Sequence, residues 1–310
     1  MARRMAQKEA LKQQVVQQRT RKKRRRHVQK RHPFKIAALL CVLITLLLIP
    51  FVTPYSVQVV QHQLEIPGLP QDLNGLCIVY LTDLHTGTGL SDARVKSLVA
   101  KANAFNPDLL FFGGDYAADA AGAVAFFKQF PGFRAKLMMA GVFGETDRTD
   151  EKGIMGEQHN AMIAANVYPL RNNLHSLKLG ESRLTVVGLD MEANAPEDIA
   201  FLSTQVSAED FVILLSHTPA VIPDALQAFD RAGENRWFDL ALCGQTHGGQ
   251  INLFGQSIYP DFQKVPDRYK SGWIQENRIP MLISNGVGTS YLPARLFAPA
   301  QMHVIVLKRV

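Results

Sequence analysis

Read for the spacing of apolar and polar residues, the chain divides into three stretches. Residues 1–32 are polar throughout, with Gln-rich runs and the block Arg21-Lys22-Lys23-Arg24-Arg25-Arg26. Ile36 to Thr53, IAALLCVLITLLLIPFVT, carries no charge and shows no polar face. From about Leu73 onward, short apolar runs alternate with helical spacings. Strands are predicted at Leu76–Thr82, Asp108–Gly113, Lys136–Phe143, Arg183–Leu189, Phe211–Ser216, Asp239–Cys243, Pro280–Ser284 and His303–Leu307. Runs such as LCIVYL, LLFFG and FVILLS are apolar without alternation, which suits strands buried on both faces between helices. Ser91 to Phe105 predicts a helix with an N-cap serine and with Val95, Leu98, Val99 and Ala102 on one face. Pro196–Leu202 and Ala220–Ala228 predict shorter ones. The resulting parse is a basic arm (1–35), an apolar segment (36–53), a linker (54–72) and one α/β domain (73–310).

The apolar segment is eighteen residues long, which at 1.5 Å per residue spans about 27 Å, close to a bilayer core. A buried core helix of that length normally keeps a polar face. No A-x-A cleavage site follows, so the segment reads as a retained signal anchor rather than a removable signal peptide. Its N-terminal flank is crowded with Lys and Arg, while Pro54 to Gln63 has neither. The positive-inside rule then predicts a single-pass cell-membrane protein with a cytoplasmic arm and an extracytoplasmic domain.

Composition sharpens this picture only after the charge is located. The 310 residues carry a formal +7. Residues 1–35, however, hold 14 bases against the single acid Glu9, leaving a body of −6. Like charges at that density repel, so a disordered or loosely helical arm is predicted. It can meet anionic lipid headgroups. It has no interleaved aromatics to stack on bases, so nucleic acid is not read as a partner. The three cysteines, Cys41, Cys77 and Cys243, lie far apart with no C-x-x-C spacing, which excludes a disulfide framework and a cysteine metal site.

Candidate chemistry collects where the predicted strands end: LTDLHTG, FFGGDY, GVFGETD, LLSHT and LCGQTHGGQ. In sheets of this kind, sites form where strand ends release the chain into loops. Asp83 and His85 are two apart, as are Gln245 and His247, and in extended backbone such residues project to one side. Neighbouring glycines let the backbone approach an ion or a phosphate. Mixed carboxylate and imidazole ligands suit Zn, Mn or Fe, and carboxylate-heavy ones suit Mn or Mg. A two-metal centre would activate water and clamp a phosphoryl group.

With these elements the sequence resembles the calcineurin-like metallophosphoesterase family, in particular its bacterial membrane-anchored members. The similarity runs from about Leu76 to the C-terminus, including SNGVGTSYLPARLFAPAQMHVIVLK. The family's signature is D-x-H, G-D, G-N-H-[DE], a separate His, and G-H-x-H. The resemblance implies a double β-sheet sandwich flanked by helices, here preceded by one transmembrane helix. It also implies two divalent ions and hydrolysis of a phosphoester or pyrophosphate by metal-held hydroxide. The first ion's set would be Asp83, His85, Asp115 and His247, with Asp115 bridging and orienting water. The second would take Asp115 and His217, with Glu145 where the family has Asn and Gln245 where it has His. Thr146 stands at the family's catalytic His position, and Asp147 matches the family's acid.

These departures carry chemical weight. A glutamine carbonyl in place of imidazole hardens the second site, and Glu145 adds a negative charge there. Threonine cannot protonate a departing alkoxide, and a lost general acid costs about 10²–10⁴-fold in rate. Anchoring near a membrane points to a phosphorylated or lipid-linked substrate. Three readings stay open on sequence alone: a membrane-anchored hydrolase, a catalytically degenerate phosphoesterase scaffold that binds or regulates, and a chain whose basic arm is the working part with the body as passenger.

Overall fold

In a computed structural model, which describes residues 2–28, 33–151, 153–190, 196–233, 236–254, 256–258 and 265–310, every predicted strand forms. Along the chain the strands are β1 (Gln58–Ile66), β2 (Cys77–Leu81), β3 (Leu109–Phe112), β4 (Met138–Gly141), β5 (Tyr168–Pro169), β6 (Asn173–Leu179) and β7 (Ser182–Leu189). They continue with β8 (Phe211–Ser216), β9 (Leu240–Cys243), β10 (Asn252–Leu253), β11 (Gln256–Ser257), β12 (Gly272–Glu276), β13 (Ile279–Ile283) and β14 (Gln301–Arg309). The helices are α1 (Ala2–Val28), α2 (Pro33–Val52), α3 (Asp92–Ala104), α4 (Ala120–Lys128), α5 (Ile154–Ala164), α6 (Pro196–Ser203) and α7 (Ile222–Ala225).

Two mixed sheets carry the body. One runs β1-β14-β2-β3-β4-β5 and the other β12-β13-β9-β8-β7-β6, with β10 and β11 as a separate hairpin. β2 to β5 are parallel, as are β7, β8, β9 and β13. Ile78, Tyr80, Leu109 and Phe111 enter a layer shared with Ile213 and Leu215 of the opposite sheet. Val79 and Leu81 point the other way, into a cluster with Val95 and Leu98 of α3 and Phe126 and Phe127 of α4. Val212 and Leu214 pack outward with Ile199 and Leu202 of α6. The non-alternating apolar runs are therefore strands with two covered faces, and each such side chain contributes about 1.5–3 kcal/mol of burial.

The main difference from the sequence reading lies at 54–72, expected as a linker. Gln58–Ile66 instead forms β1 and pairs in parallel with β14 from Gln58↔Gln301 to Ile66↔Arg309. Its polar alternation, QVVQHQLEI, suits an edge strand with one half-buried face. His62 on this strand belongs to a polar chain that runs from half-buried to buried. Trp273 Nε1 donates to His62 Nδ1 (3.0 Å), His62 Nε2 faces His303 Nδ1 (3.2 Å), and His303 Nε2 meets Ser284 Oγ (3.0 Å). Burial, with His62 beside it, lowers His303 to about 3. It is a structural histidine.

The chain separates into two units, Met1–Leu48 and Ile49–Val310. In the first, α1 is a helix whose described side chains are exposed, where a disordered or loosely helical arm was expected. Phe34–Tyr55 is one apolar helical segment of 22 residues, long enough to cross a membrane.

Candidate metal centre

The loops leaving β2, β3, β8 and β9 bring Asp83, His85, Asp115, His217 and His247 into one buried constellation. The expected strand geometry is not how this happens. β2 ends at Leu81 and β9 at Cys243, so the paired residues lie beyond the pleat. Asp83, His85, Asp115, Gln245 and His247 instead adopt left-handed backbone, with φ of 54°, 44°, 54°, 68° and 50°. Non-glycine residues enter this region at a cost of order 1–3 kcal/mol each, and such strain concentrates at functional sites. The loops brace one another: Asp83 N donates to Gly114 O, His85 N to Asp115 O and Gly244 N to His217 O, each at 3.0 Å. A Cβ at Gly114 would sit 2.6 Å from Gly144 N, and one at Gly244 would sit 2.2 Å from Thr82 Oγ1. Only glycine lets these strand ends close on the site.

Among the described residues, two groups converge their ligand atoms within 4.8 Å: Asp83, His85 and His247, and Asp83, Asp115 and His217. Asp83 Oδ1 lies 3.5 Å from His247 Nε2 and 4.0 Å from His217 Nε2. Asp115 Oδ2 lies 3.3 Å from His85 Nε2 and 3.5 Å from His217 Nε2. Both carboxylates thus reach across the constellation, whereas the sequence reading assigned a bridge to Asp115 alone.

The donor set fits divalent cations. His217 is fully buried and its Nε2 has no hydrogen-bond partner, while Nδ1 lies 2.7 Å from Gly113 O. A proton committed to that carbonyl leaves the Nε2 lone pair facing two carboxylates, as in many histidine metal ligands. His85 Nε2 and His247 Nε2 face each other at 3.2 Å, a contact that holds at most one proton if both rings are neutral. Electrostatics follow the same geometry. Burial would lower His217, but the Asp115 and Asp83 charges raise it to about 10. Burial opposes the charge of Asp115, yet His217 and His85 hold its carboxyl below the usual range. Burial pushes Asp83 up. Burial, His85 and Arg295 push His247 well down.

The remaining predicted ligands sit apart from this knot. Glu145 is exposed, and Gln245 Nε2 donates to Glu145 Oε1 at 3.0 Å. Gln245 Oε1 is buried without a partner, and the Gln245 backbone N–H donates to Asp83 Oδ1 at 3.1 Å. Thr146 turns its hydroxyl to Asp115 Oδ1 (3.0 Å) and Ala117 O (2.8 Å), and its N–H also reaches Asp115 Oδ1. Asp147 accepts from the backbone N–H groups of Asp115, Tyr116 and Gly144, bracing the loops from beneath. Burial and the Asp115 charge lift it to about 7 against those three donors.

Neighbouring polar side chains take plain roles. Tyr116 is buried and donates to Val142 O. His159 is exposed on α5. Asp190 accepts from Arg171 Nε at 2.5 Å and faces Arg148, at the rim of a cleft of about 330 Å3 lined by Glu145, Arg148 and Arg171. Arg268 lies over the Tyr269 ring and pairs with Glu276.

One residue the sequence reading passed over is Arg295. It is fully buried, donates to Gly288 O, Ala298 O, Asn285 O and His247 O, and places Nη2 3.2 Å from His247 Nδ1. A lone charge inside the otherwise apolar stretch LPARLFAPA was the available signal. A guanidinium can only donate, so it caps Nδ1 and leaves the proton of a neutral His247 on Nε2, toward His85.

Comparison with known proteins agrees with the motif resemblance. No family model matches the chain. It is 26% identical over 262 residues to the uncharacterized metallophosphoesterase YkuE of Bacillus subtilis, covering 83% of this chain and 88% of that protein. It is 28% identical over 251 residues to the uncharacterized metallophosphoesterase Cj0846 of Campylobacter jejuni, covering 79% of this chain and 61% of the relative. A Danio rerio transmembrane protein with a metallophosphoesterase domain is 24% identical over 263 residues, covering 81% of this chain and 57% of the relative. Among solved structures, the phosphopantetheinyl hydrolase of Mycobacterium tuberculosis aligns at a TM-score of 0.41 with 12% identity, over 72% of this chain and 96% of that one.

Proposed function

We propose, for a chain whose curated relatives are metallophosphoesterases, that it is a membrane-anchored, metal-dependent phosphoester or pyrophosphate hydrolase. The observation that carries this reading is the buried Asp83, His85, Asp115, His217 and His247 constellation, with all but His217 held in left-handed backbone and His217 Nε2 without a hydrogen-bond partner. Asp83, His85 and His247 would hold one divalent ion. Asp115 and His217 would hold a second, with Glu145 and Gln245 at its open side. Such a pair, when bound, supplies an activated water and draws charge from the phosphoryl oxygens.

The chain's own groups set what chemistry follows. Thr146 fixes Asp115 Oδ1 through both its N–H and its hydroxyl, leaving Oδ2 turned to the histidines. Asp147 locks the backbone on either side. Gly113 O and Arg295 orient His217 and His247. No protonatable side chain stands at position 146, so the leaving group departs largely unprotonated. Substrates that release a stabilised anion, such as aryl esters and pyrophosphates, are therefore favoured.

For anchoring, the support is the 22-residue apolar helix and relatives named as transmembrane proteins. The basic flank sets the arm in the cytoplasm and the body, counted here from β1, outside. The experiment is hydrolysis of an aryl phosphate, an aryl phosphodiester and pyrophosphate by the detergent-purified full chain with Mn. The expected result is turnover that Asp115→Asn removes. No turnover above that variant on any of the three would overturn the reading.

A specific observation favours a second reading, a degenerate scaffold that binds without turnover. Glu145 and Gln245 bond each other, and the Thr146 hydroxyl is committed to Asp115 and Ala117. It requires one ion per chain, held by Asp83, His85 and His247.

A further inference from the structure

Among the described residues, five exposed large apolar side chains on loops near the metal centre lie on two segments, 252–258 around the β10–β11 hairpin and residues 290–298. Phe254 is fully exposed, Tyr291 is 79% and Phe297 78% exposed, with Ile258 and Leu292 beside them in sequence. Phe254, Tyr291 and Phe297 share a second property: each is a bulky residue held in left-handed backbone, with φ of 51°, 52° and 55°. Aromatic residues in that conformation are genuine outliers. Strain that keeps the Phe254 and Phe297 rings in water gains nothing for folding, so something other than the core uses these two rings.

The two segments form one surface. Asn252 N donates to Leu296 O, Leu296 N to Gln250 O, and the buried Gln250 side chain spans Ser290 and Leu292. That surface is also tied to the end of the apolar helix. Arg295 N donates to Pro50 O at 2.7 Å, and Thr53 Oγ1 donates to Arg295 O. Arg94 binds Pro54 O and lies over the Tyr55 ring, so the exit of the helix is clamped from a second side. Residues 49–55 belong to the same unit as these loops. The backbone of Arg295 thus bonds the last turn of α2, and the guanidinium of the same residue touches His247.

We infer that Phe254, Ile258, Tyr291, Leu292 and Phe297 form a membrane-contacting rim, whose partner is the lipid interface into which α2 exits. Aromatic rings favour that zone, where an apolar body meets lipid and polar neighbours stay wet. Arg295 then joins the helix exit, the rim and the metal centre, so that the site works against the membrane surface on phosphoesters presented there. This inference rests on the anchoring reading above.

The test uses the full chain in phosphatidylcholine–phosphatidylglycerol vesicles, with and without brominated acyl chains. Phe254→Trp and Phe297→Trp are compared with Phe201→Trp, an exposed position on α6. The rim is supported if the two rim substitutions add blue-shifted emission that brominated lipid quenches, while the emission added by Phe201→Trp is unmoved. Equal insensitivity at all three positions in chains that resist carbonate extraction would overturn the rim and leave anchoring standing. Release of the chain by carbonate would overturn both. Aromatic replacements at exposed positions preserve size, and unchanged circular dichroism and metal content of each variant verify the fold.

Discussion

The two halves of the metal centre are built to different standards. On one side Asp83, His85 and His247 are buried, strained, mutually in contact and backed by a buried arginine. On the other, Asp115 and His217 are equally buried, but their outer neighbours, the exposed Glu145 and the half-buried Gln245, bond each other. The first half is a closed cage that needs only a cation to relieve its crowded nitrogens and oxygens. The second is half cage and half open mouth, where ligand exchange is easier and the missing imidazole is replaced by softer constraints. Burial decides this: an interior group has its geometry fixed by packing, whereas a surface pair trades partners with water at a cost of at most about 1 kcal/mol.

The largest effect expected is at Asp115, which faces both halves. Asp115→Asn should abolish hydrolysis, by at least the roughly 10²–10⁴-fold of a lost catalytic group. Steady-state rates on an aryl phosphate check it, and a variant retaining a tenth of wild-type turnover would remove Asp115 from the centre of the account. Next comes Thr146→His, which returns a protonatable group to the open side. Alkyl phosphates should then hydrolyse up to about 10²–10⁴-fold faster with little change for aryl phosphates. Equal gains on both would point to repacking rather than proton donation.

Arg295→Lys loses the rigid multi-donor fork while keeping the charge. It should shift ion binding at the His247 half by about 10–100-fold, the scale of outer-partner changes at metal ligands, with the His217 half little changed. Calorimetric titration separates the two steps, and equal weakening at both halves would contradict this assignment. The pH dependence should also divide the halves. His217 in the metal-free chain is raised to about 10, because the carboxylate charges outweigh burial, so it is protonated at neutral pH. A cation must displace that proton, so affinity at the His217 half should rise about tenfold per pH unit below pH 10. The His247 ring, pushed well below its ordinary value, is neutral at neutral pH, and only its Nε2 proton facing His85 stands in the way of a cation. Binding in buffers of differing ionisation heat reads the released proton, and a flat profile at the His217 half would break the distinction. Smallest is Gln245→Ala, which frees Glu145 from its bond and should change activity only a few-fold, in line with about 1 kcal/mol for one partly exposed bond.

Much of this centre was legible in the chain. Strands ended where their apolar runs ended, and Asp83, His85, Asp115, His217 and His247 were placed by those ends. The route was not legible: the D-x-H pair converges through left-handed turns beyond β2, since side-chain alternation applies only inside a strand. β1 reads as linker in the sequence because its apolar residues are few and its partner β14 lies more than two hundred residues away. The α4 segment AAGAVAFFK is too uniformly apolar to show helical periodicity, and its amphipathic logic appears only once it caps the phenylalanine-rich cluster. Arg295 carries no motif, and its role exists only where four backbone carbonyls and His247 turn inward together.

Metal content tests the central claim most directly. Full chain purified in detergent, stripped with chelator and titrated with Mn should bind two ions in separable steps. The tighter step should vanish in His247→Ala, and both should vanish in Asp83→Asn, whose carboxylate belongs to both groups. A wild-type chain that takes up no ion, or an Asp83→Asn chain that still binds two, would contradict the account.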